Sequence, residues 1–389
     1  MTDDPRRLDI ESLAITTGRD DSGALAPTLW SSSAFEVASV EEMRAKATGR
    51  RAERFYSRYA NPTVSAFQDA IAELEGAEAA LAFASGMGAV SSVVLALCST
   101  GAHVVAQRHI YSGTQLVLQG ICPRLGIEVD FVDSTEKGAL AAAIRPGQTM
   151  LVIAETPANP QLALTDLDEV GSIVGPITMV DSTFAPPMIQ RPISHGVDLV
   201  LHSATKGIAG HNDATLGVIS GGRDLIEEIW SYAILHGASA SPWDAMNGLR
   251  GIRTLAVRLN RQSESALCLA RFFEDRPEVA RVRYPGLPSH PQFELARRQM
   301  SSGGSMLAIE LGAGVAAGRR FVEGCRLARM AATLGGPETL VVHPASSTHV
   351  ALTEDEQRRV GISPGLVRIS VGLEHAGDLV ADFSRALGT

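Results

Sequence analysis

The sequence offers little that would tie it to a membrane, a metal or a nucleic acid. No run of about 18 apolar residues occurs, so no segment is expected to span a bilayer. The first residues, MTDDPRRLDIE, contain no apolar stretch of the kind a signal peptide needs, and the cytoplasm is the expected location. Positive charge is in deficit. With 34 Lys and Arg against 43 Asp and Glu the chain carries −9 at pH 7, which speaks against nucleic acid or an anionic lipid surface as partner. Cysteine is scarce: Cys98, Cys122, Cys268 and Cys325 follow no metal-ligand spacing and read as buried free thiols in a reducing compartment. His202 and His211 have no neighbouring cluster of carboxylates or thiols, so no metal is expected. Internal repeats and low-complexity segments are also missing.

What is present is the composition of a globular enzyme, 45% hydrophobic and 20% charged. A chain of 389 residues exceeds one ordinary core, which predicts two domains. Residues 1–55 are polar and mixed and read as an arm lying over something else. From there, short apolar runs alternate with helix-like segments: LAFAS (81–85), HVVAQ (103–107), EVDFVD (128–133), MLVIAET (150–156), ITMVDST (177–183), DLVLHSAT (198–205) and LGVISGG (216–222). Most lie about 20 to 28 residues apart, the repeat of a strand–helix–strand unit. Near-continuous apolar strands suit an α/β fold with a mainly parallel sheet covered on both faces. A helical stretch near 241–275 leads to VARVRY (279–284), SMLAIEL (305–311) and LVRISVGLE (366–374), which predict a smaller C-terminal α+β domain. The expected division is 1–55, 56–250 and 251–389.

In open α/β sheets ligands bind beyond the carboxyl ends of the strands. The polar residues just after the runs are Ser85-Gly86-Met87, Tyr111, Glu155 to Asn159, Asp181 to Thr183, and Ser203 to Lys206. A lysine directly after an apolar run, in HSATKGIAGH, sheds its proton easily if buried and becomes an amine suited to a Schiff base. A surface lysine at a strand end is the plainer reading. Ser203 and Thr205 flank it with hydroxyls able to bond a phosphate. Asp181 ends another run, where a carboxylate can pair with a pyridinium nitrogen or merely cap a helix. Ser85-Gly86-Met87-Gly88 joins a strand to a helix, a place where backbone N–H groups meet an anion; alone it is also just a tight turn. Tyr111 could stack on a planar ring or sit in a core. Arg368 puts a cation inside an apolar strand, where either a substrate carboxylate or a structural ion pair would satisfy it.

Taken together, FYSRYANPT (55–63), ASGMGA (84–89), IYSGT (110–114), ETPANP (155–160), VDSTFAPP (180–187), HSATKGIAGH (202–211), TLGGPETLVVHPASSTH (333–349) and LVRISVGLE (366–374) resemble the Cys/Met-metabolism family of pyridoxal 5′-phosphate (PLP) enzymes, the cystathionine γ-synthase and γ-lyase group. The resemblance runs from about residue 50 to the end. It implies the fold-type I PLP-dependent transferase architecture, a large domain with a mainly parallel seven-stranded sheet plus a small domain. It implies that Lys206 carries the cofactor and shuttles protons, that Asp181 binds the pyridine nitrogen and Thr183 supports the ring, and that Tyr111 stacks on it. Gly86, Met87, Ser203 and Thr205 would cradle the phosphate, and Asn159 would bond the ring 3-hydroxyl. Arg368 would hold the substrate α-carboxylate, with Thr333 and Tyr56 also on the substrate side. Tyr56 and Arg58 would reach the phosphate of a neighbouring subunit, in a homotetramer built as a dimer of dimers with shared sites.

The family resemblance leaves the member open. Methionine γ-lyases resemble this chain at FYSR and ASGMGA, but they carry cysteine where this chain has Gly113, and a Lys-Asp pair where it has Ala233 and Ile234. Cystathionine-handling members tend to carry an acidic residue at Phe55 and an arginine at Leu116; apolar groups there leave the distal charges of cystathionine without partners. The leading expectation is γ-elimination or γ-replacement on a sulfur amino acid, with a lyase ahead of an O-acylhomoserine-dependent synthase or sulfhydrylase. A PLP-binding protein without turnover, or a metal-dependent enzyme, fits these residues less well.

Overall fold

The computed structural model describes residues 8–19, 23–348, 350, 353–359 and 361–388. The seven early runs become the strands of one sheet: β1 (Ala79–Phe83), β2 (His103–Gln107), β3 (Glu128–Val132), β4 (Thr149–Glu155), β5 (Ile177–Asp181), β6 (Leu199–His202) and β7 (Gly217–Gly221). Their order is β1-β7-β6-β5-β4-β2-β3, and only the two pairings made by β7 are antiparallel. Successive side chains of a strand point to opposite faces, and here both faces are covered. Leu151 and Ile153 of β4 enter one core with Val90, Val93 and Ile229, while Val152 and Ala154 enter another with Leu140, Leu167 and Val170. That two-sided burial is why the inner strands read as unbroken apolar runs, while β3 at the sheet edge is only half-buried and alternates charged with apolar residues.

A second sheet, ordered β10-β11-β12-β9-β8, is built from β8 (Val279–Arg283), β9 (Met306–Leu311), β10 (Arg329–Met330), β11 (Leu340–Val342) and β12 (Leu366–Ser370). Its core gathers Phe273, Phe321 and Phe383, with Phe321 and Phe383 stacked at 5.5 Å between centroids. The predicted helical stretch at 241–275 is two helices, Pro242–Ile252 and Leu255–Glu274, separated at Arg253 and Thr254. The longer one joins two clusters: Leu255 and Leu259 pack with Leu164, Ala185 and Ile189 from the loops after β4 and β5, and Ala266, Leu269 and Phe273 pack against the second sheet. The N-terminal segment carries two helices, Ile10–Thr16 and Val40–Thr48; the first buries Ala14 beside Val64, Phe67 and Ala70. The expectation of four buried thiols is corrected at two positions. Cys98 and Cys122 are buried, but Cys325 is half-buried and Cys268 is exposed, because Cys268 lies on the solvent side of a helix whose neighbours Ala266, Leu269 and Ala270 face the core.

Arg258, on the long helix, holds the loop that follows Lys206. Only 4% exposed, it donates to the carbonyls of Gly207 (2.8 Å), Ile208 (3.2 Å) and Gly251 (2.7 Å), and burial pushes its guanidinium down to about 10. Gly210 must be glycine here: its φ is +69°, and a Cβ would fall 1.9 Å from Arg258 Nη1. Replacing Arg258 with alanine leaves those carbonyls short of a donor and is expected to cost roughly 2–4 kcal/mol of stability. Urea unfolding checks this; a loss below about 1 kcal/mol would show that water satisfies the carbonyls instead.

Candidate active site

β1 and the five parallel strands run in one direction, so the ends of β1, β2, β4, β5 and β6 share one edge of the sheet, and β7 starts from that edge. A cavity of about 260 Å³ opens there, lined among others by Gly86, Met87, Tyr111, Glu155, Asn159, Asp181, Thr183, Ser203, Thr205, Lys206 and Arg368. Most of the residues singled out in the sequence are therefore brought together. Thr333 stands just behind them, in hydrogen bonds to both Lys206 and Arg368. Tyr56 and Arg58 are not brought to the cavity of their own chain. The Arg58 guanidinium lies 5.3 Å from the Tyr56 ring centre and 5.0 Å from that of Tyr59, and it donates to the Ile234 carbonyl (2.5 Å).

At one side of the cavity the helix Gly86–Leu97 begins. The Ser85 hydroxyl accepts from the Gly88 N–H at 3.0 Å, which leaves the first N–H groups of the helix facing outward. Gly86 is a close-approach glycine, since a Cβ there would sit 2.9 Å from Ser203 Cβ. Ser203 and Thr205 follow β6. The Thr205 hydroxyl already bonds Leu216, donating to its carbonyl (3.2 Å) and accepting from its N–H (2.8 Å).

Asp181 closes β5. Its Oδ1 accepts from the Thr183 N–H (3.0 Å) and hydroxyl (2.5 Å), and that hydroxyl accepts the Ser203 N–H (2.9 Å). Burial raises the Asp181 carboxyl, while the Thr183 bonds and the charge of His202 pull it back. The ring of Tyr111 is 43% exposed and lies over Gly113, where a Cβ would come 2.5 Å from its Cε1.

Two cations face this cavity, and among the described residues neither has a carboxylate partner. The Lys206 amine donates to Thr333 Oγ1 at 2.9 Å; burial lowers its pKa, and the nearby Arg368 charge lowers it further. Arg368, 6% exposed, donates to Asn159 Oδ1 (3.1 Å) and to the Thr333 carbonyl (3.2 Å), while its buried Nε has no partner among the described residues. Burial pushes this guanidinium down to about 10. A buried guanidinium held only by neutral oxygens is placed to receive an anion, and its structural alternative, an ion pair, is not formed among the described residues.

Sequence reasoning named Glu155 only as a strand-end residue and gave it no role, yet it lines the cavity at 4% exposure. Thr114, Phe184 and Leu334 also line it and were not singled out. Nothing in their local pattern separates them from core residues.

The chain is 42% identical over 374 residues to an L-methionine γ-lyase of Pseudomonas putida, covering 95% of this chain and 94% of that protein. It is 38% identical over 382 residues to an O-succinylhomoserine sulfhydrylase of Pseudomonas aeruginosa, with 97% and 94% covered. A crystal structure of cystathionine γ-synthase from Xanthomonas oryzae pv. oryzae, in complex with aminoacrylate and cysteine, superposes with a TM-score of 0.91 at 36% identity, covering 98% of each chain. The family described as Cys/Met metabolism PLP-dependent enzyme matches residues 11–388, so this chain belongs to that family and is a PLP-dependent carbon–sulfur lyase or transferase.

Proposed function

We propose that the chain holds pyridoxal 5′-phosphate on Lys206 and catalyses γ-elimination from a small sulfur amino acid. The observation that supports this most is the pair of cations without carboxylate partners, Lys206 and Arg368, on one cavity with Asp181. The donor set fits the cofactor. The N–H groups of Gly86 and Met87, with the hydroxyls of Ser203 and Thr205, suit a phosphate. Asp181 suits a protonated ring nitrogen, the Lys206 amine an aldehyde carbon, and the Asn159 amide a ring hydroxyl. When bound, the cofactor supplies an electron sink for charge developing at the substrate α-carbon. The remaining work falls to side chains. Arg368 binds the substrate α-carboxylate through its fork. Besides holding the cofactor, the Lys206 amine would take the substrate α-proton and return it later in the cycle. Tyr111 would cover the ring, while Thr183 fixes Asp181 and Thr333 holds the Lys206 amine. For Thr205 to bond the phosphate, its hydroxyl must give up the 3.2 Å bond to Leu216.

The same reading assigns Tyr56 and Arg58 to the phosphate and substrate of a neighbouring subunit in a homotetramer, a dimer of dimers. The exposure of Tyr56 (42%) and Leu116 (69%) supports coverage by another copy. Four free thiols suit the cytoplasm. The same reading keeps an arm (1–55), a large domain (56–250) and a small domain (251–389), a division supported by the presence of two separate sheets. Arg58→Ala should weaken cofactor retention by roughly tenfold or more, the worth of one charge-assisted bond to phosphate. Equilibrium dialysis measures it, and a monomer with full activity would refute the shared site.

Product analysis tests the reaction. The PLP-loaded enzyme is incubated with L-methionine, with L-cystathionine, and with O-acylhomoserine with and without cysteine or sulfide. Release of 2-oxobutanoate and ammonia from a sulfur amino acid without an acceptor establishes the lyase. A thioether or homocysteine formed only with an acceptor would make the chain a synthase or sulfhydrylase, the reading favoured by its likeness to the Pseudomonas aeruginosa sulfhydrylase.

A further inference from the structure

Glu155 ends β4 and is the register partner of Asp181 on β5. Its two carboxylate oxygens serve two different segments of the cavity wall. Oε2 accepts the Tyr111 N–H at 2.7 Å, and Oε1 accepts the Asn159 N–H at 2.6 Å. Its own N–H donates to Gln107 Oε1 at the end of β2 (2.9 Å), which anchors the strand end from the other side. Tyr111 stands at the N-cap of the short helix Ser112–Leu116 and makes no capping bond with its side chain, so its backbone is held from outside that helix. Asn159 lies in a loop between Pro157 and Pro160, where proline supplies no N–H to hold the chain. One buried carboxylate thus fixes the two backbone points from which the Tyr111 ring and the Asn159 amide project into the cavity.

Burial is costly for a carboxylate beside another one. Burial itself and the adjacent Asp181 both push Glu155 well up, and the Asn159 and Tyr111 N–H bonds pull it back. A neutral glutamine has the same length and could relieve that cost. It has one acceptor oxygen, however, and would present its NH₂ to the second backbone N–H. The placement of a carboxyl group here, against its burial cost, is accounted for by the two N–H bonds it accepts on opposite oxygens.

We infer that Glu155 is a positioning residue that sets the Tyr111 ring and the Asn159 side chain against the cofactor and so governs how tightly the chain holds pyridoxal 5′-phosphate. This rests on the reading that the cavity binds that cofactor. The apoenzyme is titrated with pyridoxal 5′-phosphate while the visible band of the bound cofactor is followed, and thermal unfolding of the apoenzyme is recorded alongside. Glu155→Gln should raise the cofactor Kd by roughly 10- to 100-fold, the loss of one charge-assisted hydrogen bond to a buried donor. Glu155→Asp keeps the charge but is one methylene too short to reach both N–H groups, and should be weakened alike; it decides the matter if the glutamine variant is insoluble. In a Tyr111→Ala/Asn159→Ala background the side chains Glu155 places are gone, so Glu155→Gln should add less than about threefold. A Kd within about twofold of wild type for both single variants, or an undiminished effect in the double-alanine background, overturns the inference. A wild-type chain that forms no visible band overturns the cofactor reading and this inference with it. Wild-type binding with unaffected variants overturns the inference alone.

Discussion

Replacing Lys206 with alanine should abolish turnover, by roughly 10⁴-fold or more, and leave the fold intact. In the proposed function the substitution removes both the amine that would tether the cofactor and the base that would take the α-proton, two functions on one atom. Its structural cost is small. The side chain makes a single hydrogen bond, to Thr333, and holds no carboxylate among the described residues. Burial and the Arg368 charge already lower its pKa, so removing the amine also relieves an electrostatic cost next to Arg368. Apoenzyme thermal unfolding should therefore stay near wild type while steady-state release of oxo acid disappears. Retained steady-state activity would contradict the assignment.

Arg368→Ala has the second largest expected effect. It should lower kcat/KM by roughly 10²- to 10³-fold, mainly through KM, for every α-amino acid tested, because truncating one partner of a buried charge pair leaves the other charge buried and unmatched. Among the described residues the guanidinium has no carboxylate partner and its Nε no acceptor, which supports a substrate carboxylate as its proposed partner. Part of the loss comes through neighbours, since Arg368 also anchors Asn159 and the Thr333 carbonyl. Arg368→Lys separates these contributions: it keeps the charge but not the two-pronged geometry, and should recover only part of the loss. An effect confined to a single substrate would mean that Arg368 reads the side chain and not the shared carboxylate.

The large sheet was legible because its inner strands are buried on both faces. Each of those reads as a short apolar run, and the ends of the runs place Asp181, Ser203 and Lys206 at one edge. Where burial is one-sided or strands are short, the signal fails. β10 has two residues and both are exposed; β11 has three, inside a motif full of turn residues. The break at Arg253 and Thr254 carries no proline or glycine of its own, so 241–275 read as one helix. The role of Glu155 was hidden for another reason: it acts on backbone N–H groups, one of them 44 positions away, and backbone donors carry no residue identity. Tyr56 and Arg58 could be singled out by resemblance alone, since the folding of one chain does not bring them to its cavity.

Borohydride trapping tests the central claim most directly. The PLP-loaded enzyme is reduced, which converts a carbon–nitrogen double bond between cofactor and lysine into a stable single bond, then digested and analysed by peptide mass spectrometry. The chain has three lysines, Lys46, Lys137 and Lys206, so the assignment is unambiguous. Lys46 is paired with Glu42 at 2.9 Å and Lys137 is exposed, which makes both poor sites for a tethered cofactor. The account predicts the phosphopyridoxyl group on the peptide that contains Lys206 and its absence from the other two. A label on Lys46 or Lys137 in place of Lys206, or no label on any lysine, would contradict it.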